Sequence, residues 1–198
     1  MKEKFKSSIE VYLGEVSEIC NRIDKESIVE FCDGIKSIKE NRGRLFIMGV
    51  GGSAANASHA VNDFRKILGV ETYCPFDNVS ELTARINDDG WDTSISNWLK
   101  VSQLGRNDGV MVYSVSGGGE NTSQNLVKAM VIARMVGAKV FSITGRENGE
   151  ANKLADYPVV IPNVYEERVT PHTEEWQGVI WHLVVNVLKD LSTEKDEN

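Results

Sequence analysis

One pattern constrains this chain more than any other. A short apolar run, a turn of glycine and serine, and a stretch able to form a helix follow one another repeatedly. Arg44-Leu45-Phe46-Ile47-Met48 leads into Gly49-Val50-Gly51-Gly52-Ser53 and then an alanine- and asparagine-rich segment. Val110-Met111-Val112-Tyr113-Ser114 leads into Val115-Ser116-Gly117-Gly118-Gly119, with a helical pattern over 123–136 behind it. A third strand, Lys139-Val140-Phe141-Ser142-Ile143-Thr144, ends in the Gly145 turn, and Pro158-Val159-Val160-Ile161-Pro162 reads as a fourth. Apolar runs of this length between turn residues are strands buried on both faces. Strands alternating with helices predict βαβ units, hence an α/β domain with a parallel sheet flanked by helices.

The first forty residues predict two helices. Ile28, Phe31, Cys32, Ile35 and Ile38 recur at helical spacing, and residues 5–20 carry a weaker version of the pattern. In helix 123–136, Leu126, Val127, Met130, Ala133 and Met135 or Val136 are expected to face inward, and Gly137 to stop the helix. The last helix is expected to open at Thr170-Pro171, where threonine caps and proline is tolerated, and to run to about Asp190. Trp176, Trp181, Val184 and Leu188 read as packing residues of that helix. Trp91 and Trp98 read as residues of an oligomer seam, or Trp91 as a lining residue of the pocket. The organisation expected is a helical extension over 1–40, the α/β domain over 41–191 and a polar, frayed tail over 192–198.

The length of 198 residues suits one domain. With 22 basic and 29 acidic residues the formal charge is −7, which gives no general attraction to nucleic acid or an anionic membrane. The sequence lacks an apolar stretch long enough to span a bilayer, and no apolar run follows the charged start Met1-Lys2-Glu3-Lys4. Cys20, Cys32 and Cys74 are odd in number and lack metal-type spacing. They read as reduced thiols of a cytoplasmic protein, two of them packing in helices. Glu147, Glu150, Glu166 and Glu167 read as solvated surface.

Chemistry gathers at the strand ends. Glycine lets the backbone approach a ligand closely, and the helix that follows offers free N–H groups to an anion. In an open α/β sheet such turns meet at the carboxyl edge, where ligands bind. The 49–54 turn lacks the third glycine of a dinucleotide fingerprint and the lysine of a P-loop. Two turns rich in glycine and hydroxyls therefore favour a small phosphorylated ligand. His59 and Asp63 are four apart and share one helix face. His182 lies in the last helix with Glu175 seven residues back on the same face; Glu174, eight back, is about 80° off in an ideal helix. His172, beside Pro171, reads as a local cap.

The order of these turns and helices resembles the sugar isomerase (SIS) domain family, and within it the phosphoheptose isomerases. The stretch Gly49-Val50-Gly51-Gly52-Ser53-Ala54-Ala55-Asn56-Ala57-Ser58-His59 carries the resemblance. So do Asn87-Asp88-Asp89-Gly90-Trp91, Ser114-Val115-Ser116-Gly117, Ser142-Ile143-Thr144-Gly145 and the helix of His182. The likeness spans roughly residues 40–190.

The resemblance implies a five-stranded parallel sheet between helices, and a homotetramer with active sites at subunit interfaces. It implies an isomerase that converts sedoheptulose 7-phosphate to D-glycero-D-manno-heptose 7-phosphate through an enediol, for surface polysaccharide. Gly51, Gly52, Ser53, Asn87, Asp88, Ser114, Ser116, Ser123 and Glu174 would contact the phosphorylated sugar. Asp63 would be the base and His182 the acid. His59, Asp63, Glu174 and His182 align with four positions that hold Zn2+ in some members. The family glutamate is Asp63 here, the family glutamine is Glu174, and the family asparagine of the first turn is Val50. The loop Gly117-Gly118-Gly119-Glu120-Asn121-Thr122 is about four residues longer than usual, and Glu120 would repel phosphate if it faced inward. These departures keep two alternatives open: an isomerase for another sugar phosphate, or a non-catalytic sugar-phosphate-binding module.

Overall fold

The computed structural model describes residues 1–196, with side chains described to Ser192. Helices α1 (Lys2–Arg22) and α2 (Lys25–Glu40) lead into β1 (Leu45–Gly49) and α3 (Gly52–Lys66). Then come β2 (Thr72–Tyr73), α4 (Val79–Asp89), α5 (Trp91–Val101), β3 (Gly109–Ser114) and α6 (Gln124–Val136). The chain continues through β4 (Lys139–Thr144), α7 (Glu150–Leu154) and β5 (Tyr157–Val160), and a 3-10 turn at Glu166–Arg168 enters α8 (Val169–Asp196). The sheet order is β2-β1-β3-β4-β5, every pair parallel.

The alternation of each strand sorts its side chains between two layers. Leu45, Ile47, Met111, Tyr113, Phe141, Ile143 and Val159 pack with α1, α2, α3 and α8. Phe46, Met48, Val110, Val112 and Val140 pack with α5, α6 and α7. The predicted α2 stripe is as expected: Phe31, Ile35 and Ile38 are buried. Gly137 stops α6 in the left-handed conformation at φ 76°.

Several expectations are corrected. Met135 and Val136 are exposed, and Ala129 takes an inward position on α6. Helix α8 begins at Val169 and continues to Asp196, so Thr170 is inside it and the first residues of the expected tail are helical; residues 197–198 lie outside the described residues. Cys32 and Cys74 are buried and Cys20 on α1 is exposed, so only one helical cysteine packs.

His172 is no local cap. It is buried on α8, with Nε2 2.8 Å from Glu15 on α1 and Nδ1 3.2 Å from Glu175. The Tyr12 hydroxyl donates to Glu175, and Arg168 pairs with Glu15. These contacts fasten α1 to the start of α8 and commit Glu175 there. Among the described residues no helix is long and apolar enough to cross a membrane.

Candidate active site

The strand order reverses between β1 and β3, and the carboxyl ends of these two strands form the crevice where open sheets bind ligands. Gly51 turns β1 into α3 at φ 66°, a conformation that favours glycine. A methyl on Gly49 would overlap the Ser53 backbone, so strand and helix meet without space for a side chain.

Ser53 is buried, and its hydroxyl accepts from Gln177 Nε2 at 3.0 Å. Asn56 Nδ2 donates to Gln177 Oε1 at 2.9 Å and to the Glu174 carbonyl at 2.8 Å. These bonds pin the first turns of α3 to α8. Sequence reasoning missed both amides. The available signal was Gln177 itself, a polar residue amid Trp176, Ile180 and Trp181.

Farther along α3 stand His59 and Asp63, and α8 brings His182 against them. Asp63 Oδ2 lies 3.4 Å from His182 Nε2 and 3.9 Å from His59 Nε2. The ligand-capable atoms of the three residues lie within 4.8 Å of one another. The Asp63 side chain is 10% exposed, against 51% for His182 and 59% for His59. A buried carboxylate thus underlies two open imidazoles.

Two donors fix that carboxylate: Trp181 Nε1 to Oδ2 at 3.1 Å and Asn62 Nδ2 to Oδ1 at 3.0 Å. Trp181, read from sequence as packing only, is buried and also polar in its role. His182 Nδ1 lies 2.7 Å from the Gly178 carbonyl. A carbonyl only accepts, so Nδ1 carries a proton and Nε2 is the ring atom that faces Asp63. The Tyr113 ring stacks on Trp181 at 6.1 Å. Burial, and after it the field of Asp63, push the Tyr113 phenol far above its ordinary pKa.

The other expected residues spread around this centre. Glu174 is not part of the cluster of three; its carboxylate lies against Gly52, where a methyl would overlap it, beside the N-terminus of α3. The Ser114 hydroxyl accepts from Gly117 N at 3.1 Å, and the Ser116 hydroxyl from Gly118 N at 3.3 Å. Gly117 and Gly118 take φ of 74° and 75° and Ser123 takes 51°, so the loop is tightly wound where it enters α6. Gly119 and Thr122 pair through bonds of 3.0 and 3.4 Å, closing a small hairpin. Glu120 and Asn121 are exposed at its tip. Asn87 and Asp88 are exposed at the end of α4, where Asn87 Nδ2 donates to Asp88 at 2.8 Å.

No family model matches the chain. The phosphoheptose isomerase of Syntrophotalea carbinolica is 28% identical over 197 residues, covering 94% of this chain and 95% of that protein. The phosphoheptose isomerase of Helicobacter pylori is 30% identical over 156 residues, 76% of each chain. The chain belongs to the phosphoheptose isomerase family. Phosphoheptose isomerase GmhA from Neisseria gonorrhoeae superposes with a TM-score of 0.81 at 22% identity, over 96% of this chain and 98% of that one. At that identity the likeness establishes the fold, shared along nearly the whole length. In this member of the phosphoheptose isomerase family the cluster between α3 and α8 is built from two histidines and an aspartate.

Proposed function

We propose that the protein is an aldose–ketose isomerase for a phosphorylated seven-carbon sugar, converting sedoheptulose 7-phosphate to D-glycero-D-manno-heptose 7-phosphate. The observation that carries the reading is the Asp63 carboxylate set between two half-exposed imidazoles where α3 meets α8. Family membership supplies the substrate class.

The wound loop of Ser114, Ser116 and Ser123, with Ser53 and the N-terminus of α3, takes the phosphate. Backbone N–H groups and hydroxyls suit that anion. The Glu120 carboxylate is exposed at the hairpin tip, so its charge does not have to enter the loop. With phosphate anchored, the sugar carbonyl and its neighbouring carbon reach the Asp63–His182 pair. Asp63 takes the proton from that carbon, giving a cis-enediol. His182, its Nδ1–H held on the Gly178 carbonyl, moves the oxygen proton through Nε2. Return of the proton at the adjacent carbon completes the isomerisation.

The donor set suits zinc: two imidazole nitrogens and a carboxylate oxygen, with a carbonyl orienting His182 from behind. His59, Asp63 and His182 would hold it; ligation would engage the Asp63 oxygen and His182 Nε2, and Glu174 would then be the candidate base. When bound it would polarise the carbonyl and lower the cost of negative charge on the enediol oxygens.

Residues Val179, Leu183, Val187 and Leu191 form an exposed apolar stripe on the helix that carries His182. A homotetramer with its sites at subunit interfaces belongs to this proposal, because a second copy would cover that stripe. Light scattering measures it.

The test is proton NMR in D2O with sedoheptulose 7-phosphate and added zinc. New aldose anomeric signals, or loss of the C1 proton signal, establish the isomerase. An unchanged spectrum sinks the heptose reading. The closed hairpin at Gly119–Thr122 favours one alternative, a different ketose phosphate, which a substrate panel under the same conditions separates.

A further inference from the structure

Tyr113 stands out in its strand. All six residues of β3 are buried, and the tyrosine is 0% exposed within the hydrophobic core. Among the described residues its hydroxyl has no hydrogen-bond partner. A phenylalanine would fill the same space without burying an unpaired polar group, so packing does not explain the oxygen. The Tyr113 ring lies parallel to Trp181, with 17° between the planes, and Trp181 is the residue that donates to Asp63 Oδ2. Asp63 is also the charge whose field reaches the Tyr113 phenol. An ionised carboxylate has about four lone-pair sites, and the described donors, Trp181 and Asn62, use two of them.

We propose that Tyr113 is a positioning residue for Asp63, its hydroxyl serving as a third donor to that carboxylate, directly after a small rotation of Asp63 or through one buried water. The phenol stays neutral and acts only as a donor. Being fully buried, it does not touch the sugar; it acts through Asp63. The kinetic consequence rests on the isomerase reading, whereas the hydrogen bond does not.

The experiment labels tyrosine at Cζ with 13C and assigns the Tyr113 resonance by its loss in Tyr113→Phe. If the hydroxyl donates toward Asp63, the resonance moves in Asp63→Asn, where a charged acceptor becomes a neutral one. A resonance that stays in place overturns the proposal whether or not the protein turns over a sugar. In the isomerase assay Tyr113→Phe is expected to lower kcat about tenfold with KM held within about twofold, since a loosened catalytic carboxylate affects the chemical step and not phosphate binding. Its melting temperature should fall, as the loss of a bond to a buried carboxylate requires, and the fall in kcat at a held KM separates lost positioning from lost folding. An active wild type with an equally active Tyr113→Phe also overturns the proposal. A moving resonance in a protein inactive on every sugar phosphate supports the hydrogen bond and removes only the isomerase reading.

Discussion

The indole N–H of Trp181 and the Nε2 of His182 converge on one oxygen, Oδ2 of Asp63, at 3.1 and 3.4 Å. Adjacent residues of α8 thus serve one atom in different ways, one by fixing the carboxylate and the other by facing it with a titratable nitrogen. Trp181→Phe keeps the ring and removes the donor. The loss of a hydrogen bond to a buried charged group costs about 1.5–3 kcal/mol. The variant should therefore unfold at lower urea and lose turnover, while zinc still reaches the imidazoles. An unchanged urea midpoint would show that the bond contributes nothing to the fold.

Gly52→Ala tests the place of Glu174. The new methyl would overlap the far end of the Glu174 side chain, not backbone. The carboxylate can move aside, so stability should change by less than about 1 kcal/mol, with alanine the better helix former. Turnover should fall because Glu174 leaves the N-terminus of α3. Glu174→Ala should produce the same loss, and the double variant should be no worse than either single one, as expected of changes that act through one contact. Additive losses in kcat/KM would separate the two residues.

The sheet was legible because β1, β3 and β4 are apolar runs that end in glycine turns, which is how a strand buried on both faces reads. The pairing of His59 with Asp63 followed from helical spacing. The edge strand at Thr72 and Tyr73 was not legible: two residues carry no period. Helix α4 has no fully buried residue, and α5 buries Ile95 and Leu99 among serines, so neither shows a strong apolar stripe. The polar frame of the site was hidden for another reason. Gln177, Asn56, Trp181 and Tyr113 acquire their roles only from contacts between α3, α8 and β3, which lie far apart in sequence. The same holds for His172, whose two carboxylate neighbours are Glu175 on its own helix and Glu15, 157 residues away.

The Arg44–Asp108 pair ties the start of β1 to that of β3 and predicts an acid-sensitive fold. Asp108 accepts from the Arg44 guanidinium at 2.7 Å, the Arg44 backbone N–H at 2.8 Å and Gly105 N at 2.9 Å. Burial opposes ionisation, yet the bonds from Arg44 and Gly105 outweigh it and hold the Asp108 carboxyl below its usual value. A depressed folded pKa adds stability that is present above the unfolded value, about 3.9, and lost as pH falls through the folded value. Arg44 is 27% exposed, so solvent screening discounts the cost of Asp108→Asn at neutral pH to about 2 kcal/mol. Urea titrations across the acid range should show the gap between wild type and variant closing as the pH drops. A constant gap would place the acid sensitivity elsewhere.

Zinc affords the most direct check on the cluster itself. If His59, Asp63 and His182 hold the ion, zinc binds the folded chain and not the unfolded one. At a free concentration 100 times Kd the gain is about 2.7 kcal/mol. For a domain of this size that corresponds to a rise of roughly 5–10 °C in melting temperature. A chelator should reverse the shift, and His182→Ala or His59→Ala should remove most of it. An imidazole must be neutral to bind a metal, so the shift should also fade on acidification. The Gly178 carbonyl that holds His182 Nδ1 is backbone and survives these substitutions, which makes the imidazole the only element changed at that position. An equal zinc shift in wild type and both alanine variants would move the ion away from Asp63 and leave that carboxylate to act as a base alone.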